Sequence, residues 1–375
     1  MLFDKEIKKL GFGCMRFPRI DGAIDIEQVK AMTDKFLAEG FTYFDTAWVY
    51  DGSEDAVRQA LVERYPRESY QLATKNAAWV DCKTREEAIS QFETSLSRTG
   101  AGYFDMYLIH NLGQMRTHFF DDFKMWDFVK EKKEEGLIRH YGCSAHATPD
   151  ELRKILDDHP DLEFIQLQLN YADWENPAVR SREVYEIARE HGLPIVVMEP
   201  IKGGTLAKLP EQVMDIFRAY DPDRTAAEWA LRFAASLDGV ITVLSGMSTL
   251  EQMEENVSSM KDFTPFTDEE FEVIDRAREE LAKIPVIPCT SCNYCAKVCP
   301  EDIGIAATFA AMNTYTLYHD LAFAKNQEWA NVRFAGGKKS ATNCVKCGAC
   351  EEACPQQIRI RDELENAVKV LELED

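Results

Sequence analysis

Eight of the chain's eleven cysteines stand in two runs of identical spacing. The first, C-T-S-C-N-Y-C-A-K-V-C-P, comprises Cys289, Cys292, Cys295 and Cys299 ahead of Pro300. The second, C-V-K-C-G-A-C-E-E-A-C-P, comprises Cys344, Cys347, Cys350 and Cys354 ahead of Pro355. Thiolates three residues apart on one loop can converge on a single metal centre. A secreted disulfide framework would instead spread its cysteines through the chain. MLFDKEIKKL is charged from its fourth residue, so no secretory leader is expected. Zinc is the plain alternative, but zinc knuckles pair two C-x2-C units and need neither a third cysteine nor the proline. The repeated C-x2-C-x2-C-x3-C-P spacing suits iron–sulfur clusters. Cys14 and Cys143 lie in apolar strand-like runs and read as core thiols, and Cys82 as an exposed one.

That spacing resembles the bacterial two-cluster ferredoxins, in which the fourth cysteine of each run binds the other cluster. The resemblance implies two [4Fe–4S] clusters. Cys289, Cys292, Cys295 and Cys354 would hold one, and Cys344, Cys347, Cys350 and Cys299 the other. The segment between the runs, 301–343, is longer than a compact ferredoxin uses. Its stretch IAATFAAMNTYTLYHDLAFAKNQEWA carries Ala and aromatics at helical spacing. Helices are therefore predicted between the motifs, as in the α-helical ferredoxin modules attached to larger oxidoreductases. Gly336, Gly337, Lys338 and Lys339 read as an exposed turn, whose lysines could also dock an acidic electron carrier.

A second constellation is made of Asp45, Tyr50, Lys75 and His110. Singly, each has a structural reading: a turn cap, an amphipathic wall, a solvated strand end, a hydrogen-bonded core histidine. Together they can deliver a proton to a carbonyl oxygen. A tyrosine with a reference pKa of about 10 is a poor acid at neutral pH, and a neighbouring ammonium lowers that value. Asp45 would keep Lys75 charged and aimed. His110 would donate a hydrogen bond to the carbonyl and stabilise developing oxyanion charge. Tyr50 would supply the proton.

The segments FDTAWVYDGSE, LATK and YLIHN resemble the aldo-keto reductase family, and the likeness extends through GCSAH, MEPIKGGTL and SGMSTLEQMEENV. It implies a (β/α)8 barrel with Asp45, Tyr50, Lys75 and His110 as catalytic tetrad. It also implies a nicotinamide across the barrel mouth. Ser144 and Gln166 would bond its carboxamide, Met198 takes the place of the stacking aromatic, and Gly203, Gly204, Ser245 and Gly246 lie along its phosphates. Two departures stand out: Ala145 replaces the Asn that usually follows the Ser, and the stretch around Gly246 and Gln252 lacks the family's Lys and Arg clamp for a 2′-phosphate. The Gly203-Gly204 pair suits either close approach to a phosphate or a tight structural turn.

The elements needed to position these groups are legible. Strand-like runs at 10–15, 42–47, 70–75, 106–111, 138–145, 164–170, 194–200 and 239–246 alternate with amphipathic helical stretches. Several of those stretches close on glycine: Gly40, Gly100, Gly136, Gly192 and Gly239. Strict βα alternation implies a parallel sheet, and eight units over about 260 residues fit an α/β fold of the closed TIM-barrel kind. An open doubly wound sheet is the alternative, but no GxGxxG follows the first strand. Asp45, Lys75 and His110 fall at the ends of strands 2, 3 and 4, where such barrels carry their chemistry. Residues 267–283 read as a closing helix with Thr267 and Glu270 spaced as a capping box. Pro285 and Pro288 then mark a boundary, which divides the chain into a barrel over 1–284 and a mainly helical iron–sulfur domain over 285–375.

The net charge of −22 is concentrated in the barrel, which holds −19 of it. It argues against a nucleic-acid groove and against a clamp for an extra phosphate. No apolar run reaches the roughly 18 residues of a membrane span. The expected protein is a cytoplasmic oxidoreductase, suited to an anaerobe, reducing a small-molecule carbonyl or oxidising the alcohol. Its reductant is less determined, because a nicotinamide moves two electrons together and a cluster moves one. NAD(P)H can do the chemistry beside structural clusters, a flavin can join the two regimes, or single electrons can enter the substrate directly from a ferredoxin or flavodoxin partner. A non-catalytic electron-transfer subunit is the reading from another class. Trp48, Trp79, Phe119, Phe120 and Tyr171 could form an apolar wall for the substrate.

Overall fold

The predicted strands form and pair in parallel: β1 (Leu10–Gly13), β2 (Tyr43–Asp45), β3 (Gln71–Asn76), β4 (Phe104–Leu112), β5 (Ile138–Ala145), β6 (Ile165–Gln168), β7 (Ile195–Met198) and β8 (Val240–Ser245). β1 pairs with both β2 and β8, so the sheet closes into a barrel rather than remaining open. The computed structural model describes residues 7–113, 116–176, 179–318, 320–334 and 336–374.

The pleat of the strands decides what enters the barrel. Side chains alternate sides, so residues two apart share a face. Tyr43, Ala73, Leu108, Phe164, Val196 and Leu244 belong to one fully buried cluster. Two residues further toward the C-terminal end of each strand stand Asp45, Lys75, His110, Gln166, Met198 and Gly246. The polar groups at the mouth are thus the next layer of the stack whose lower layer is apolar. Residues of the opposite parity, such as Phe44, Tyr107, Ile109 and Val243, are equally buried outside the barrel, beneath the helices.

Capping chemistry delimits those helices. Thr84 and Glu87 form a reciprocal capping box on Arg85–Thr99, and Thr148 and Glu151 form another on Pro149–Asp158. Thr267 and Glu270 do the same for Asp268–Leu281, with Glu270 N–H donating to Thr267 Oγ1 at 3.3 Å and Thr267 N–H to Glu270 Oε2 at 2.8 Å. The five glycines read as helix terminators all take positive φ.

The chain divides into two compact units. One comprises Met1–Glu175, Arg180–Ile201 and Ala227–Phe271, and includes the barrel strands; the other comprises Asn176–Val179, Lys202–Ala226 and Glu272–Asp375. In the second unit, helices Tyr294–Val298, Ile305–Tyr318, Leu321–Glu328, Ala349–Glu352 and Ile360–Val370 surround a core of Ile303, Ile305, Phe309, Ile360, Leu364 and Leu371. The helices predicted between the two cysteine runs are present. Asn313, on the first of them, grips the Ile287 peptide from both sides: its Oδ1 accepts from Ile287 N–H at 2.7 Å and its Nδ2 donates to Ile287 O at 2.8 Å. This fixes the backbone two residues before Cys289. No described helix is long and apolar enough to cross a membrane.

Candidate functional site

Lys75, only 1% exposed, donates from Nζ to Asp45 Oδ1 at 2.5 Å and to the Thr46 carbonyl at 2.7 Å. The same ammonium lies 5.1 Å from the centre of the Tyr50 ring. His110 presents its ring edge-on to Tyr50, with centroids 5.9 Å apart. Burial pushes the Asp45 carboxyl up, and the Lys75 ammonium opposes that shift. Asp45 Oδ2 has no hydrogen-bond partner among the described residues, so the carboxylate leans on Lys75 for its compensation.

The turn that carries Tyr50 is clamped on both sides. Arg98 donates to the Trp48 carbonyl at 3.1 Å and meets Glu54 Oε2 at 3.4 Å. Glu54, 1% exposed, also accepts from Thr74 Oγ1 at 2.8 Å, one residue before Lys75. Burial raises the Glu54 pKa, with Ser95, Thr74 and Arg98 pulling it back. Motif spacing alone does not single out this glutamate, although it lies inside the FDTAWVYDGSE segment. Its signal is a carboxylate in the first turn of a helical stretch whose Ala56, Val57, Ala60 and Leu61 are buried.

Trp79 bonds the His110 carbonyl through Nε1 at 3.1 Å and stacks edge-on against the His110 ring. Of the five aromatics considered for a substrate wall, Trp79 meets the cluster through its side chain, and Trp48 through its backbone N–H, which donates to the Lys75 carbonyl at 3.2 Å. Phe120 and Tyr171 are wholly buried packing residues. Above Trp79 lies Arg116, 4.8 Å from a ring centre, bonded through Nη1 to Asn111 Oδ1 at 3.0 Å. Asn111 adopts φ +62°, and its N–H donates to Ser144 Oγ at 2.8 Å. The next loop is packed so closely that a Cβ on Gly113 (φ +100°) would come within 2.6 Å of the Ala147 backbone. His146 beside it is held neutral, its pKa pushed down to about 3 by burial and by Arg116.

The remaining residues expected at the mouth are placed as follows. Gln166 is 2% exposed, and its Oε1 has no partner among the described residues. Met198 is half-buried at the end of β7. Ser245 Oγ accepts from Asn256 Nδ2 at 2.9 Å. Gly246 faces the Arg16 side chain, whose carbons lie 3.2–3.4 Å from where a Cβ would stand. The aliphatic part of an arginine from the short helical turn after β1 therefore packs beside the end of β8. In the second unit, Gly203 (φ +65°) and Gly204 (φ +98°) follow β7 in the chain. A Cβ on Gly203 would come within 2.5 Å of the Thr290 carbonyl, so this glycine is required by backbone packing against the first cysteine loop. Cys14 and Cys143 are buried, whereas Cys82 is half-buried beneath Gln91 rather than exposed.

The eight clustered cysteines sort into two pockets. Cys289, Cys292, Cys295 and Cys354 line one. Cys299, Cys344, Cys347 and Cys350 line the other. Each set takes three thiols from one run and the last thiol of the other. Four soft donors around a cavity of this kind fit a cubane cluster. Lys338 and Lys339 are exposed, and each is paired within the unit, to Asp302 at 2.5 Å and Glu301 at 2.7 Å.

A closed parallel barrel with this mouth, followed by a helical module holding two four-cysteine pockets, defines an oxidoreductase joined to an iron–sulfur module. Residues 9–279 match the aldo/keto reductase family and residues 288–358 the 4Fe-4S dicluster domain. The chain belongs to the aldo/keto reductase family. It is 25% identical over 289 residues to an uncharacterized oxidoreductase, YqkF, of Bacillus subtilis, an alignment covering 68% of this chain and 88% of that protein. It is 27% identical over 237 residues to an aldo-keto reductase of a Mycobacterium species, covering 63% of this chain and 78% of that one. The holo form of an aldo-keto reductase from Bacillus halodurans superposes with a TM-score of 0.58 at 26% identity, over 73% of this chain and 93% of that structure.

Proposed function

We propose that the chain reduces a carbonyl compound, or oxidises the corresponding alcohol, at the barrel mouth. In this reading Tyr50 is the proton donor, and Asp45, Lys75 and His110 are its partners. The observation that carries the reading is the Lys75 ammonium, buried against Asp45 and lying over the Tyr50 ring. Reduction adds a hydride equivalent at carbon and a proton at oxygen. Lys75 favours the phenolate left when Tyr50 gives up its proton. His110 holds the carbonyl oxygen through a hydrogen bond that strengthens as negative charge develops there. In the oxidative direction the same groups act in reverse, with Tyr50 taking the alcohol proton.

A nicotinamide bound at the mouth would supply the hydride, and the clusters would supply single electrons. Gln166 Oε1, buried without a described partner, suits the amide N–H of a carboxamide, and Ser144 still has its own O–H to donate. Arg16, whose aliphatic carbons pack beside Gly246, is the candidate partner for a phosphate there. Cys289, Cys292, Cys295 and Cys354 would hold one [4Fe–4S] cluster, and Cys299, Cys344, Cys347 and Cys350 the other.

The test is anaerobic purification, quantification of iron and sulfide, and spectral titration with NADH, NADPH and dithionite. About eight irons per chain are expected; one or two zinc ions would overturn the ligand assignment. Tyr50→Phe should lower carbonyl reduction by about 10²–10⁴-fold with iron content unchanged. If Tyr50→Phe kept full reductive activity, the chain would be an electron-transfer subunit. Bleaching by dithionite alone would favour a ferredoxin- or flavodoxin-like donor, and a flavin absorption band would identify that coupling.

A further inference from the structure

The two cysteine pockets have the same ligands and different surroundings. The pocket of Cys289, Cys292, Cys295 and Cys354 is lined by Phe309, Ile358 and Ile360 and by the uncharged polar residues Thr290, Asn293 and Gln356, and no Lys, Arg, Asp or Glu lines it among the described residues. The pocket of Cys299, Cys344, Cys347 and Cys350 is lined by Lys346 and Arg361 as well as Glu301. Lys346 lies between two of the ligands in sequence, and the Arg361 guanidinium carbon is 3.9 Å from where a Cβ on Gly348 would stand. Both cations are ion-paired, Lys346 to Glu365 at 2.9 Å and Arg361 to Glu351 at 2.7 Å. Neither of those carboxylates lines the pocket, although Glu351 is the chain neighbour of Cys350. Exposure differs at one thiol: Cys347 is exposed, as is Val345 two residues before it, whereas Cys295 and Cys354 of the first pocket and Cys350 of the second are buried.

We propose, resting on the ligand assignment above, that the two clusters are electronically inequivalent and that Lys346 and Arg361 make the one on Cys299, Cys344, Cys347 and Cys350 the more easily reduced. Each one-electron reduction adds one negative charge to a cluster and makes or breaks no bond to its cysteines. Facing cations stabilise that added charge more than uncharged side chains do. Two described features pull the other way: Glu301 lines the same pocket as the two cations, and Ser291 N–H donates to Cys289 Sγ at 3.4 Å in the first pocket. Two cations against one carboxylate still leave the second pocket with the more positive lining. An electron entering from an external carrier thus rests at the centre beside Lys346 and Arg361, and the other centre fills second.

The experiment is a potentiometric titration of the full, anaerobically purified chain, with dithionite as reductant and electron paramagnetic resonance as readout. Two one-electron waves are expected. Lys346→Gln and Arg361→Gln should each move the higher wave to more negative potential, the double variant further, with the lower wave unmoved. Cys347→Ser should alter the signal of the higher wave and Cys292→Ser that of the lower. Two coincident waves, equal shifts of both, or a shift of the lower wave alone would overturn the inequivalence while leaving the ligand assignment standing. A chain that binds no iron would overturn both.

Discussion

Removing the Lys75 ammonium should leave a signature that depends on pH in a defined direction. In Lys75→Met, the carboxyl of Asp45 remains 3% exposed, and its Oδ1 loses the Nζ that stood at 2.5 Å. Burial already pushes this carboxyl up, and Lys75 is the group opposing it. In the variant the folded-state pKa therefore lies well above the unfolded value of about 3.9. Below about pH 4 both states carry the proton, and the variant loses little beyond packing. As pH rises the unfolded chain releases the proton and the folded chain keeps it. Above the parent's own raised Asp45 pKa, stability then falls relative to the parent by at most about 1.4 kcal/mol per pH unit. The gap is bounded by the roughly 3–5 kcal/mol expected for a broken buried ion pair. Urea unfolding followed by far-ultraviolet circular dichroism at pH 4, 5, 6 and 7 measures it. The double variant Lys75→Met with Asp45→Asn should show a flat gap. A single variant whose gap to the parent is constant across that range would refute the claim that Asp45 depends on Lys75 for its charge.

The other expectations concern neighbouring parts of the molecule. His146→Gln should remove a pH dependence of the opposite sign: the folded chain refuses a proton that the unfolded chain takes near pH 6.5, so the parent loses about 2 kcal/mol between pH 7 and 5 that the variant retains. Unfolding midpoints of the two proteins at those pH values decide this. Gly203→Ala places a methyl within 2.5 Å of the Thr290 carbonyl at a left-handed φ, so iron analysis should find fewer irons per chain and a weakened signal from the centre on Cys289. Arg98→Met should release the Trp48 carbonyl and Glu54 together, lowering kcat for carbonyl reduction more than it raises KM, because the Tyr50 turn loses its clamp.

Much of this architecture follows from local sequence physics. The βα alternation, the capping boxes at Thr267 and elsewhere, and the glycines with positive φ are set by residues close together in the chain, so a linear reading finds them. The cysteine runs are equally local: three thiols within seven residues announce one centre. The positions of Asp45, Lys75 and His110 at strand ends follow from strand period, since each lies two residues beyond an apolar interior residue. What a linear reading misses depends on partners that are not adjacent in sequence. Arg16 meets Gly246, Arg116 meets Asn111 and Trp79, Glu54 meets Thr74 and Arg98, and Asn313 grips Ile287.

Short segments of the chain were enough to specify the barrel, the helical iron–sulfur module and the identity of the groups able to do chemistry. The periods of strands and helices and the spacing of thiols are properties of such segments. The environment of each group was settled at the level of the folded chain. Folding brought Cys354 beside Cys295 in one pocket and Cys299 beside Cys344 in the other. It set the Gly203 turn against the Thr290 carbonyl, and it placed Lys346 and Arg361 at one cysteine pocket and no charged residue among those lining the other. Charge, burial and close approach act through space, and chain order carries no record of which distant residues will supply them.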